Sequence, residues 1–311
     1  MKIAPLSLDD VTPWARLLAT AFNRQPEQMS QLLHFLQPKT HLVAWGAWDG
    51  DSLAAQYSCL LRQLYSPTQD VNLPVGLSIN MAVHPHYRGQ GLIKQVAQPV
   101  YEHLAAKKVV AGVGFSNAAG VQVDKRSSSY GYRVVGQLRS YLLWLGSTAP
   151  CPDFELTTLW PEQPFQPVRQ NTAVQFAWTS TSLRHRFACH PFRKYHFGVW
   201  HQQETIAGIV IYRPTRLFGL PAVGLLAIYG NDHLSLLQRW MAAVKADGYR
   251  WAYLVSTPQT SLLHTLRQTA VCFPQPISRT PYYLTLKPLT NSLPPAIFDF
   301  ENWACLGGDI L

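Results

Sequence analysis

The chain has 311 residues, 47% of them hydrophobic, with 26 Lys and Arg against 17 Asp and Glu for a formal charge of +9. This is a globular composition of a length comfortable for two domains, which excludes a disordered chain, and its surplus of positive charge suits a polyanionic ligand such as coenzyme A, a nucleotide-linked sugar or a nucleic acid. No apolar run reaches a membrane span, MKIAPLSLDD is not a signal sequence, and five scattered cysteines without C-x-x-C spacing form neither a disulfide framework nor a zinc site, so a cytoplasmic protein without membrane or metal is expected.

In chain order, DDVTPWARLLATAFN reads as a first helix, with Asp9 or Asp10 as its cap and Pro13 in its first turn. HLVAWGAWDGDSLAAQYSCLL reads as a hairpin around Asp49-Gly50-Asp51. The strand LPVGLSINMAV follows and is stopped by His84-Pro85, because proline cannot donate to a ladder. From Leu92 the residues Leu92, Val96, Val100 and Leu104 recur at helical spacing, so HPHYRGQG joins a strand to a helix. Glycines there let the backbone turn tightly and approach a ligand, and free N–H groups at a helix start favour an anion. The strand VVAGVGFS and the closing strand RSYLLWL complete the first half.

A proline-rich stretch, 147–170, then separates residues 1–146 from 171–311 and reads as a linker. Beyond it the order repeats: the hairpin KYHFGVWHQQETIAGIVIYRP, the strand LPAVGLLAIYG, a helix, the strand WAYLVST and the closing strand PYYLTLK. Where the first half has HPHYRGQG the second has NDHLSL, without glycine. The reading is an internal duplication with one phosphate cradle, in the first half.

Arg88-Gly89-Gln90-Gly91-Leu92-Ile93 resembles the acetyl-CoA signature of the GNAT N-acetyltransferases, Arg/Gln-x-x-Gly-x-Gly/Ala, with Ile93 in the last place. The resemblance covers about residues 1–145. It implies an α/β (α+β) fold of two tandem GNAT-like domains, each a mixed, mostly antiparallel sheet flanked by helices, the second degenerate. It implies an acyl-CoA-dependent N-acetyltransferase, with acetyl-CoA as co-substrate and a primary amine of a small molecule, an amino sugar or biosynthetic intermediate, as acceptor. On this reading Met81, Ala82 and Val83 bind the pantetheine arm and thioester through backbone groups. Arg88, Gly89, Gln90, Gly91, Leu92 and Ile93 hold the pyrophosphate, and Asn117 contacts the coenzyme.

SSSYGYRVVGQL resembles the family's Y-x-x-x-Gly-Phe element with Gly131-Tyr132 in place of Gly-Phe. The family's general-acid tyrosine falls at Ser127, and Tyr130 is the nearby substitute. The strand LSINMAV carries no carboxylate, leaving Asn80 to order a water. His84 and His86 read as loop-fixing residues and Asp124, Lys125 and Arg126 as a solvated cluster. Arg184, His185, His190 and Tyr195 either shape an acceptor pocket or hold the second domain together. Two other functions fit a duplicated GNAT fold: an aminoacyl-tRNA-dependent transferase, against which the dispersed basic residues speak, and a non-catalytic acyl-CoA-binding scaffold.

Overall fold

The computed structural model describes residues 1–40, 42–118, 120–121, 131–145, 151–167, 172–258, 262–264, 266, 271–274 and 281–310. These divide into two compact units: Met1–Leu64, Asn72–Gly136 and Tyr283–Pro295 form the first, and Tyr65–Val71, Gln137–Tyr282 and Ala296–Leu311 the second.

In the first unit, β1 (Lys2–Pro5) leads through a short 3-10 turn to α1 (Val11–Phe22). Trp14, Leu17 and Leu18, at helical spacing, are its buried stripe, and Asn23 ends it in the left-handed conformation (φ 51°). Asp10 precedes the helix without a side-chain cap bond. Ser7 is the cap of the preceding turn: its hydroxyl accepts from the Asp9 N–H at 3.1 Å, and its own N–H donates to Asp10 Oδ2 at 2.9 Å. After α2 (Pro26–Thr40) come the hairpin β2 (Leu42–Asp49) and β3 (Ser52–Ser66), then β4 (Val71–Val83), α3 (Leu92–Ala106), which runs through Pro99, and β5 (Ala111–Ser116). β6 (Arg133–Gln137) follows.

The sheet of this unit has the order β1-β2-β3-β4-β5-β15-β6, where β15 is Tyr283–Pro288. One face packs on α3 through Val96, Val100 and Leu104 against Tyr57 and Cys59. A second cluster joins α1 and α2 to Leu6, Ala44, Leu53 and Ala82.

The second unit holds β7 (Arg139–Trp144), β8 (Phe154–Thr157), β9 (Gln175–Phe176) and the short α4 (Ser180–Leu183), which continues as a π turn over Arg184–Ala188. Next come β10 (His196–Gln202), β11 (Thr205–Leu217), β12 (Leu220–Gly230), α5 (His233–Ala246), β13 (Trp251–Ser256) and β14 (Val271–Pro274). Its sheet runs β14-β7-β13-β12-β11-β10-β8. Trp240 and Leu237 of α5 lie in the core under Tyr212, Val210 and Leu225.

Two features depart from the reading of the sequence. Phe154–Thr157, inside the expected linker, pairs with β10 as the edge strand of the second sheet. The two closing strands are exchanged. RSYLLWL pairs antiparallel with β13 of the second unit, Tyr141 opposite Leu254, while PYYLTLK pairs antiparallel with β5 of the first, Leu286 opposite Val113. Each strand buries apolar residues in its sheet, Tyr141 and Leu143 in one and Leu284 and Leu286 in the other, so either satisfies the same kind of position beside a parallel strand.

Candidate acyl-CoA site

β4 and β5 are parallel, and their ladder runs only from Val75–Ala111 to Ser78–Gly114. β4 continues to Val83 and β5 to Ser116, so the strands part where the ladder stops. Just beyond, Asn80 takes φ 49° in the middle of β4, a left-handed conformation that inserts a bulge. The bulge reverses the alternation of the strand. Before it, Gly76 faces the α3 side, where an added Cβ would lie 2.7 Å from Leu104. After it, Met81 and Val83 pack on the α3 cluster and Ala82 on the α1/α2 cluster. Without the inserted residue Ala82 would share the face of Gly76. The bulge therefore settles which faces Met81, Ala82 and Val83 meet, while the backbone of Ile79–Val83 has no ladder to β5 among the described residues.

The loop after β4 is pinned at three points. The His84 N–H donates to Ala54 O at 2.9 Å, His84 Nδ1 accepts from the His86 N–H at 3.4 Å, and the Tyr87 hydroxyl donates to Asp49 Oδ2 at 2.8 Å, on the turn of the β2–β3 hairpin. The two histidines thus fix the loop. Gly89 (φ 83°) and Gly91 (φ 68°) both require the left-handed region, and a Cβ at either would meet nothing within 4 Å. Their need is conformational, and the space above them is open. Gly91 is the N-cap of α3 and offers no side chain to its N–H groups. Helix geometry leaves the N–H groups of Leu92 and Ile93 without an intrahelical partner. Arg88, Gly89, Gln90 and Gly91 are exposed, whereas Leu92 and Ile93 are buried in the α3 core. The bulky Ile93 side chain therefore packs inward, and only its backbone belongs to the cradle. Arg88, the cradle's one full positive charge, has neither an ion pair nor a side-chain hydrogen bond among the described residues.

Asn117 lies exposed at the end of β5, where its Oδ1 accepts from the Gly120 N–H at 2.9 Å. It caps the next helical segment and keeps its amide N–H groups for another partner. Tyr130, Ser127, Asp124, Lys125 and Arg126 lie outside the described residues.

Sequence reasoning missed a buried triangle of phenols. Tyr57 on β3 and Tyr101 on α3 are hydrogen-bonded through their hydroxyls, and the Tyr132 hydroxyl lies 3.2 Å from that of Tyr57 and 3.0 Å from that of Tyr101. Burial pushes the Tyr57 and Tyr101 phenols well above their ordinary range, so both are neutral. The Lys287 ammonium sits 4.3 Å from the Tyr101 ring centroid. The triangle ties α3 to β3 and to the segment before β6, beside the Gly76–Gly112 pair of the β4–β5 ladder. On the face opposite Tyr57, Gln56 is fully buried, and among the described residues neither its amide atoms nor Trp14 Nε1 has a hydrogen-bond partner. No local pattern signals either feature, since each depends on residues far apart in sequence.

Residues 2–135 match the family model described as an acetyltransferase (GNAT) domain. This part of the chain is similar to the GNAT acetyltransferase domain. No curated protein matches the chain. Among solved structures it resembles a GCN5-related N-acetyltransferase from Anabaena variabilis (TM-score 0.70, 11% identity, 93% of this chain and 73% of that one). It also resembles a probable N-acyltransferase from Enterococcus faecalis (TM-score 0.66, 13% identity, 93% and 72%). A tandem GNAT protein from the clavulanic acid biosynthesis pathway matches end to end (TM-score 0.58, 13% identity, 94% and 99%). At these identities the likeness establishes the fold alone: two mixed sheets flanked by helices.

The second unit repeats the opening of the GNAT domain and fills it. β12 and β13 pair in parallel from Ala222–Trp251 to Leu225–Leu254, and the β11–β12 register shifts at the next residue, Leu226. Into this gap runs the segment 304–310. Leu306 bridges Ser256, Thr257 N–H donates to Cys305 O at 3.1 Å, and a Cβ on Gly308 would lie 2.6 Å from Leu226 O. The helix start differs too. Asp232 caps α5, its Oδ1 accepting from the Ser235 N–H at 3.0 Å, and hydrogen bonding from the Ser235 side chain, then from that N–H, holds its carboxyl below the usual range. A fixed carboxylate there occupies the position an anionic ligand would need.

Proposed function

We propose that the protein transfers an acetyl or related acyl group from acyl-CoA to a primary amine of a small molecule, an amino sugar or biosynthetic intermediate, by direct attack of the amine. The observation that carries this reading is the coincidence, at one place in the first unit, of a parted parallel strand pair, a bulge that re-aims Met81 to Val83, and an uncapped glycine-rich helix start. Backbone N–H groups of Gly89 to Ile93 and the Arg88 guanidinium suit a pyrophosphate. Unladdered backbone at Met81, Ala82 and Val83 suits the pantetheine arm and the thioester oxygen, where oxyanion-type hydrogen bonding contributes about 2–4 kcal/mol. The exposed amide of Asn117 suits a further coenzyme contact.

The acceptor approaches the thioester from the face that Ala82 shares with α1 and α2. Asn80 orders the water that takes the amine proton, and Tyr130 returns a proton to the thiolate. Residues 171–311 serve architecture or acceptor recognition, because their opening is occupied by 304–310 and their helix start by Asp232. The reading places the protein in the cytoplasm, where acyl-CoA is available; no helix among the described residues is long and apolar enough to cross a membrane.

Titration calorimetry with acetyl-CoA is the direct test, followed by thiol release against a panel of amines. One site per chain, with turnover on a small amine, is expected. Two sites per chain would refute the assignment of the second unit, and coenzyme binding without turnover on any amine would leave the scaffold function in its place.

A further inference from the structure

The second unit contains a cavity of about 230 Å³ lined by Arg186, Arg193, Arg213, Tyr195, Tyr253 and Tyr282, beside the segment 307–310. No acidic side chain lines it among the described residues. Three guanidinium groups in one cavity repel one another; the buried carboxyl of Asp309, outside the lining, bears on Arg186, which leaves Arg193 and Arg213 as a like-charged pair in a partly desolvated space, a costly arrangement. Arg186 is locked: its Nε donates to Gly308 O and its NH2 group to Ile310 O, each at 2.8 Å. These carbonyls fix the orientation of the guanidinium, while the Asp309 carboxyl offsets its charge. Arg193 and Arg213 have no ion pair and no side-chain hydrogen bond among the described residues. A neighbouring group senses the resulting field. His190 is held down to about 4 by burial, then by the charges of Arg193 and Arg186.

The geometry points to a binding site for a small organic oxyanion, a carboxylate- or phosphate-bearing molecule, held between Arg193 and Arg213 with Arg186 fixed behind them. Guanidinium groups match planar oxyanions in paired hydrogen bonds, and tyrosine rings and hydroxyls supply walls that are apolar on one side and polar at the tip. The cavity falls below the roughly 300–1,000 Å³ of pockets for drug-sized ligands, so it takes a compact ligand and not coenzyme A. Its position explains why the segment 304–310 is retained: while closing the gap between β12 and β13, it supplies the carbonyls that orient Arg186. This site is independent of the proposed acyl-CoA site and stands or falls without it.

The test is calorimetry on the full chain with citrate and with inorganic phosphate at constant ionic strength, repeated on Arg213→Gln and Arg193→Gln. Saturable binding of citrate, phosphate or both, weakened at least tenfold in each variant, is expected. Preference for citrate identifies a carboxylate ligand, and preference for phosphate a phosphorylated one. Absence of binding by both at millimolar concentration overturns the proposal, as does binding that both variants retain, which would report the general positive charge of the surface. Arg193 is exposed, so its variant keeps the test valid if Arg213→Gln unfolds. Acetyl-CoA affinity, measured in parallel, is expected to be unchanged, which separates failure of this site from failure of the first unit's assignment.

Discussion

Substitution at Gly91 separates what the backbone contributes to the cradle from what charge contributes. At φ 68° an L-residue carries a conformational penalty, but a Cβ meets no atom within 4 Å, so no steric clash is added. The cost to folding is about 1–2 kcal/mol for Ala or Glu and less for Asn, which tolerates the left-handed region. Coenzyme binding responds differently. A carboxylate about 5 Å from a pyrophosphate charge, at an effective dielectric constant of about 20, is repelled by about 3 kcal/mol. That corresponds to a loss of affinity on the order of a hundredfold or more. Gly91→Glu should therefore lose measurable acetyl-CoA binding, while Gly91→Asn loses about tenfold at most, with both variants folded by circular dichroism and urea unfolding. If Gly91→Glu binds acetyl-CoA within tenfold of the parent, the helix start of α3 does not hold the pyrophosphate and the electrostatic argument fails.

Removing one hydroxyl of the phenol triangle, as in Tyr101→Phe, leaves buried partners short of a hydrogen bond and should cost about 1–2 kcal/mol in urea unfolding; a neutral result would mean that the triangle contributes no net stability. Gly308→Val drives a side chain against Leu226 O and should destabilise by about 1–3 kcal/mol or more while displacing the 304–310 segment. Tryptophan emission reads this, because Trp303 is fully buried; an unshifted spectrum and urea midpoint would refute the tight packing. Burial, then the charges of Arg193 and Arg186, make the folded state prefer a neutral His190 imidazole, titrating at about 4 against an ordinary 6.5, and its Nδ1 accepts from the Arg193 N–H at 3.1 Å. A depressed pKa in the folded state means stability complete above about 6.5 and lost as pH falls toward 4. Screened by partial exposure, the loss amounts to about 1–2 kcal/mol. His190→Asn keeps an acceptor that cannot titrate and should flatten that part of the stability profile. An unchanged slope would assign the pH dependence to other groups.

The amino-acid sequence by itself determined the features carried by short-range rules. Asp49-Gly50 forces a turn between apolar runs, Pro85 marks the end of a strand, and Leu92, Val96, Val100 and Leu104 repeat at helical spacing. The junction RGQG needs glycines, and both adopt positive φ. The repeat of these signals across 171–311 likewise made a second sheet legible, and the absence of glycine in NDHLSL showed that its loop differs.

Tertiary structure decided what local rules leave open. RSYLLWL and PYYLTLK are both short apolar runs that a sheet can bury, so nothing within either strand says which parallel pair it will flank, and the sheets take each other's candidate. Asn80 reads as an ordinary strand residue until its neighbours impose the bulge that turns Ala82 to the α1/α2 side. Phe154–Thr157 reads as linker until the edge of β10 supplies its partner. Tyr57, Tyr101 and Tyr132, or Arg186, Arg193 and Arg213, are spread along the chain and come together only in the folded units. Backbone preferences act over a few residues and are written in the sequence, whereas the partner of a strand edge or of a buried charge is chosen by whatever the whole fold brings beside it.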